Sequence, residues 1–183
     1  MTRIVAGTHR GRRLDVPRGT VTRPTADRAR EGMFSSLQSL VDLEDARFLD
    51  LYAGSGALGL EALSRGAASA ALVESDERAV AVLRGNVERL GLAAEVVALP
   101  VEDFLAGDPS ADGRPPYDVV ALDPPYELDV DPVLVALLPW LAEDAVVVVE
   151  RRTKGAPPAW PPGLVGVRSR TYGEATLWYG SRS

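Results

Sequence analysis

Two rhythms of apolar residues organise the chain. Between residues 45 and 150, apolar positions gather in short runs: RFLDLY (47–52), SAALVE (69–74), AEVVAL (94–99), YDVVALD (117–123) and AVVVVE (145–150). These runs do not alternate strictly with polar positions, which is the pattern of strands buried on both faces of a sheet. Between them the spacing turns helical. A helix is predicted from Leu58 to Arg65, and Val80, Leu83, Val87 and Leu90 mark one face of another over residues 76–90. VEDFLA (101–106) gives a short helix and residues 131–141 a last one. Strands that alternate with helices predict an α/β fold, a parallel sheet with helices on both faces. The carboxyl-terminal part breaks that order. VGVRSRTYG (165–173) and EATLWYG (174–180) follow each other without a helix, so they predict an antiparallel hairpin that closes the sheet at seven strands.

A different pattern precedes the sheet. RIVAG (3–7) and RRLDV (12–16) read as short strands about a Gly/Arg turn. Pro24–Thr25 starts a helix whose Ala29, Met33, Leu37 and Leu40 share a face. Arg28 and Glu31, at spacing i, i+3, are expected as a structural pair. The organisation expected is a small basic extension of hairpin and helix over residues 1–43 and a larger domain over 44–183. APPAWPPG (156–163) reads as a stiff loop. Trp160 and Trp178 read as loop and sheet packing, and His9 as an exposed turn residue.

Composition narrows the chemistry. The chain has no cysteine, which excludes disulfides, zinc–thiolate centres, iron–sulfur clusters and a cysteine nucleophile. With His9 as the single histidine, no metal site is expected. The net charge of −6 argues against a nucleic-acid partner, but its distribution argues for one. Residues 1–30 hold eight arginines against Asp15 and Asp27 (+6), residues 151–183 carry +5, and the stretch between them is left at −17. A basic arm and a basic tail about an acidic body point to a polyanion. No apolar stretch is long enough to span a membrane, and MTRIVAGTHRGRR lacks the apolar segment of a secretion signal. A soluble, cytoplasmic monomer is expected.

The first strand of the alternating region runs into Gly54-Ser-Gly56-Ala-Leu-Gly59, a GxGxxG turn that opens a helix. Glycines let backbone approach a ligand closely, and a helix start offers N–H donors. Glu74 ends the next strand, placed for ribose hydroxyls. Both nicotinamide dinucleotides and S-adenosylmethionine suit such a turn. Asp50, four residues before Gly54, favours the second: it attracts an amino or sulfonium charge and repels a pyrophosphate. Glu102 and Asp103 are candidates to accept from an adenine amine, with Phe104 against the ring. No hydride-transfer acid or base is in view.

The fourth strand ends in Asp123-Pro124-Pro125-Tyr126. One proline suffices for a turn. Proline fixes the backbone and leaves its carbonyl free of a local N–H, so Asp123 and the Pro124 carbonyl form a rigid pair of acceptors. Tyr126 adds a flat face. Acceptors beside a stacking surface suit a planar aromatic amine, whose lone pair must be turned toward a methyl donor.

These motifs carry a resemblance. LDLYAGSGALGLEALSRGA with LDPPY resembles the class I S-adenosylmethionine-dependent amino-methyltransferases, with a Rossmann-like sheet. RIVAGTHRGRRLDVP and TRPTADRAREGMF are narrower, and over residues 3–180 the chain resembles the bacterial RsmD family, which methylates N2 of guanine 966 in 16S ribosomal RNA. The resemblance implies an enzyme that converts S-adenosyl-L-methionine to S-adenosyl-L-homocysteine without a metal, on the assembling 30S subunit. It implies cofactor contacts at Asp50, Gly54, Gly56, Glu74 and Asp103, catalysis at Asp123–Tyr126, and RNA contact at Arg10, Arg12, Arg13 and Arg23. Competing readings are a DNA adenine-N6 or cytosine-N4 methyltransferase, which shares the DPPY chemistry, and a non-catalytic nucleotide-binding regulator.

Overall fold

The computed structural model describes residues 2–17, 24–110 and 113–183. Strands β1 (Thr2–Arg3) and β2 (Arg13–Leu14) pair antiparallel and lead to helix α1 (Pro24–Leu37). There follow β3 (Arg47–Leu51), α2 (Ala57–Ser64), β4 (Ser69–Val73), α3 (Glu77–Leu90), β5 (Ala94–Val97), α4 (Val101–Leu105), β6 (Tyr117–Leu122) and α5 (Asp131–Leu137). A 3-10 turn (Leu138–Trp140) passes into β7 (Leu141–Arg152), and β8 (Leu164–Tyr172) and β9 (Ala175–Arg182) complete the chain.

Seven strands form one sheet in the order β5-β4-β3-β6-β7-β9-β8. The first five strands are parallel and β9 is antiparallel to both its neighbours. The expected α/β sheet with its antiparallel hairpin is therefore present. The order reverses between β3 and β6, and the loops at the carboxyl ends of such strands are where doubly wound sheets hold ligands. Both faces are covered, as the unbroken apolar runs predict. One core lies between the sheet and α1, α2 and α3, around Phe34, Phe48, Leu60 and Leu72. The other lies under α4 and α5, around Leu49, Val120, Leu134 and Trp140.

Helix α3 shows how local chemistry sets the ends. The Asp76 carboxylate accepts from the Ala79 N–H at 2.8 Å, and Gly91 ends the helix in the left-handed region at φ 63°. Two boundaries differ from those predicted. The last helix ends at Leu137, because Pro139 has no N–H to continue it. Strand β7 reaches Arg152 because the β9 ladder carries it past the end of its parallel neighbour, through Arg151↔Thr176 and Arg152↔Ala175.

The basic extension is packed onto the sheet domain. Ile4, Leu14, Met33, Phe34 and Leu37 join the same cluster as Phe48 and Leu60, so the described part of the extension shares a core with the rest. Gly7, at φ 83°, brings its backbone so close to α2 that a Cβ would lie 1.7 Å from the Ser64 carbonyl oxygen. The Thr8 N–H donates to that oxygen at 2.8 Å. His9 is half-buried rather than exposed, with Nε2 3.2 Å from the Leu90 carbonyl oxygen. In α1 the ion pair at spacing i, i+3 is Asp27–Arg30 at 2.9 Å, not Arg28–Glu31; both of the latter are exposed. Arg30 is drawn inward because its Nη2 donates to the Arg3 carbonyl at 2.6 Å.

Candidate active site

In-register pairing brings the turns together. Leu51 lies opposite Val73 on one side and Leu122 on the other, so Tyr52, Glu74 and Asp123 leave their strands at one level. The Ala53 N–H donates to the Val73 carbonyl at 3.0 Å, and the Asp123 N–H reaches the Leu51 carbonyl at 3.4 Å. Tyr52 holds φ at 65°, a left-handed conformation that a side chain disfavours by about 1–3 kcal/mol. Its hydroxyl donates to Glu102 Oε1 at 3.2 Å, tying the glycine turn to α4. Burial, with the Glu102 charge, pushes that hydroxyl's pKa up.

The three glycines have different duties. At Gly54 a Cβ would meet nothing within 4 Å, which leaves open space against the backbone. At Gly56, with φ 80°, it would lie 2.3 Å from Leu83 Cδ1. At Gly59 it would lie 2.1 Å from Leu72 Cδ2, so Gly59 lets α2 settle on β4. Only Gly54 borders the cleft with free room. Gly59→Ala is expected to lower stability by about 1–3 kcal/mol through overpacking. Urea unfolding measures this, and an unchanged midpoint would contradict the packing role.

Glu74 is locked by the backbone. Its Oε2 accepts from the Gly54 N–H and its Oε1 from the Ser75 and Asp76 N–H groups, each at 2.8 Å. A carboxylate has about four acceptor sites, so Glu74 keeps capacity for a hydroxyl. Asp50 departs from expectation. It is wholly buried, its Oδ2 accepts from the Gly59 N–H at 2.9 Å, and its Oδ1 has no partner. It thus faces α2 behind the turn, and its influence on the cleft is through charge. Burial, reinforced by Asp123 and Glu74, pushes its carboxyl up to about 7 despite the Gly59 bond. Glu102 and Asp103 are exposed on α4. Phe104 must be corrected: it is buried, its ring 4.4 Å from that of Trp140, and it offers no face to the cleft. On a short helix over a sheet, the apolar residue turns to the core.

The Asp-Pro-Pro-Tyr segment closes the other side. Pro124 is buried, and among the described residues no donor reaches its carbonyl. The Pro125 carbonyl is engaged, accepting from the Leu128 N–H at 3.0 Å. Asp123 keeps an exposed surface, and the partial desolvation of its carboxyl by the surrounding chain pushes it up to about 6. Three residues that follow the valines of β7, none of them a candidate from the motifs, also border this segment. Glu150 is half-buried beside Asp123, and burial followed by the Asp123 charge pushes its carboxyl up to about 7. Arg151 Nη2 donates to the Tyr126 carbonyl at 3.1 Å. The Arg152 guanidinium lies over the Tyr126 ring at 4.5 Å, so one face of that ring is covered. A glutamate ending the strand after the DPPY strand was the available signal, since Glu74 ends its strand in the same way.

Asp50, Glu74, Asp123 and Glu150 gather negative charge at one end of the sheet, where a cation relieves their repulsion. The arginines expected to touch RNA lie elsewhere: Arg10, Arg12 and Arg13 are exposed on the β1–β2 hairpin. Arg23 lies outside the described residues. An open groove of about 570 Å³ sits at the amino ends of the strands, lined by Arg47, Ser69, Glu95, Arg114 and Tyr117. Its charges are already paired, Arg114 with Glu95 at 2.7 Å and Arg47 with Asp118 at 3.1 Å. The cleft at the carboxyl ends is the one with free acceptors, and it is the candidate site.

The strand order, the glycine turn and the DPPY segment define the Rossmann-like class I methyltransferases. The family model described as Conserved hypothetical protein 95 matches residues 2–181. Ribosomal RNA small subunit methyltransferase D of Escherichia coli K12 is 38% identical over 176 residues, covering 94% of this chain and 85% of that protein. The solved structure of Escherichia coli yhhF superposes with a TM-score of 0.87 at 34% identity, covering 99% of this chain and 97% of the other. The solved structure of a hypothetical protein from Thermus thermophilus gives a TM-score of 0.81 at 37% identity, covering 98% of each chain. The chain belongs to the RsmD family of methyltransferases.

Proposed function

We propose that this protein transfers a methyl group from S-adenosylmethionine to the exocyclic N2 amine of a guanine in 16S ribosomal RNA of the small subunit. The observation that carries the reading is the pair of free acceptors, the Asp123 carboxylate and the Pro124 carbonyl, on the level of the glycine turn. The residues fit the cofactor: Gly54 leaves room against the backbone, Glu74 keeps an acceptor site, Glu102 and Asp103 are exposed acceptors, and the carboxylates favour a cation. The cofactor supplies the methyl group on a sulfonium, and the electron pair of the C–S bond leaves with sulfur.

The chain supplies orientation. A guanine amine is a weak nucleophile because its lone pair is delocalised into the ring. Hydrogen bonds from its two N–H groups to Asp123 and Pro124 hold it with the lone pair directed out of that plane. Positioning of this kind supplies much of an enzymatic acceleration. As the new N–C bond forms the nitrogen becomes cationic, and the proton it loses passes to Asp123. The rigid prolines hold the acceptors in place, Arg151 fixes the segment from below, and Tyr126 flanks a base swung out of its stack.

The test is methyl transfer from labelled S-adenosylmethionine to small-subunit particles that lack the modification, with the nucleotide mapped. Label at guanine N2 supports the reading. Label on DNA adenine or cytosine, or none on either, overturns it. The exposed Arg10, Arg12 and Arg13 would grip phosphates. Replacing all three with alanine is expected to raise the RNA KM about tenfold and flatten its salt dependence, with cofactor affinity unchanged. Unchanged RNA kinetics would remove the hairpin from recognition.

A further inference from the structure

A second carboxylate stands beside the amine acceptors. Leu122 pairs with Val149 across the parallel β6–β7 ladder, so Asp123 and Glu150 are the next residues on adjacent strands. Such strands lie about 4.8 Å apart, and matched positions leave the same face. Leu122 and Val149 both face the core under α4 and α5, so alternation along β7 turns Glu150 to the opposite face, and Asp123, the first residue past β6, lies close enough for its charge to act on Glu150. Among the described residues, no donor or cation reaches the Glu150 carboxylate. Its neighbour on β9 is Leu177, and the Arg151 and Arg152 side chains are engaged with the Pro125–Tyr126 segment. A half-buried carboxylate without donors is unfavourable, and a ligand that brings N–H groups relieves it.

We infer that Glu150 reads the ring of the target base, accepting the N1–H of guanine while Asp123 and the Pro124 carbonyl accept the two N2 protons. The inference rests on the methyl-transfer reading and adds the source of base choice. Guanine presents a ring N–H next to its amine. Adenine and cytosine present a bare ring nitrogen there, and its lone pair would meet the Glu150 carboxylate. The row of three acceptors therefore selects guanine by attraction and rejects the other amino bases by repulsion. Glu150 touches the ring and not the reacting atoms, so it is a specificity residue.

The base 2-aminopurine separates the roles, because it keeps the amine at C2 and has a bare N1. Small-subunit particles reconstituted with guanine or 2-aminopurine at the methylated position are compared for label incorporation. The wild type is expected to prefer guanine by about 100-fold or more in kcat/KM, as sites built around a hydrogen bond do. Glu150→Gln, whose amide both accepts and donates, is expected to cut that preference at least about tenfold. Equal use of the two bases by the wild type overturns the inference without needing any variant. So does a Gln variant that lowers both rates in proportion, which is the result if Glu150 only tunes Asp123. Failure of the wild type to methylate the guanine particle strikes the proposed function itself, a result distinct from either.

Discussion

Asp123→Ala is expected to lower kcat by about 10³-fold or more while S-adenosylmethionine still binds. The loss is set by what Asp123 does for the amine. In the proposed role it is one of two acceptors that hold the lone pair in line, and removing a preorganised group of this kind costs about 10²–10³ in kcat. It also removes the proton acceptor. Cofactor affinity is expected to be largely spared because the proposed contacts at the glycine turn, Glu74 and the start of α4 remain. Asp123→Asn keeps an acceptor oxygen but cannot take a proton, so its loss is smaller and isolates the second contribution. The pH dependence follows from the raised pKa. Below about 6 Asp123 is protonated in the free enzyme and loses acceptor capacity, so kcat/KM falls as pH drops through that value. In the Asn variant the contribution of Asp123 to this acid limb is absent. Isothermal titration with the cofactor and single-turnover methyl transfer check both arms. Turnover by the Ala variant at the wild-type rate would refute the assigned role.

The legible part of the molecule was the part governed by periodicity. Unbroken apolar runs such as AVVVVE marked strands covered on both faces, and the missing helix between residues 165–173 and 174–180 marked the antiparallel hairpin. The glycine turn and DPPY were legible as backbone chemistry, since glycine and proline are read by what their backbones allow and forbid. What stayed hidden depended on direction. Asp50 sits in the turn motif, yet its carboxylate points to the Gly59 N–H, which only the packing of α2 on β3 decides. Phe104 follows two acids that face water, and its ring takes the opposite side of a short helix. Glu150 enters the sequence pattern only as the last residue of the AVVVVE run. Its place beside Asp123 needs the β6–β7 register, a contact between residues far apart in the chain.

Glu61 was hidden for the same reason, and its removal should have the largest effect on stability. It lies in LGLEALS as the lone acid of an otherwise apolar helix, with nothing in the local pattern to mark a partner. The carboxylate is fully buried under the extension instead. Its Oε2 accepts from the Val5 N–H at 2.7 Å, and its Oε1 accepts from the Ala6 N–H at 2.9 Å and from Arg65 Nε at 2.8 Å. Arg30 Nε lies 3.7 Å away as an ion pair. Glu61→Ala strands two backbone donors and leaves Arg30, itself 6% exposed, without this buried counter-charge. Breaking a buried pair from one side costs about 3–5 kcal/mol, much more than a surface pair is worth. Glu61→Gln keeps an acceptor oxygen and should lose less. Urea unfolding at constant slope measures the difference, and a loss below about 1 kcal/mol, the worth of a surface pair, would mean that the extension does not depend on this carboxylate. The functional consequence is separable. The same hairpin carries Arg10, Arg12 and Arg13, so loosening it should raise the RNA KM at temperatures where the sheet is still folded, and cofactor binding should follow the sheet rather than the hairpin.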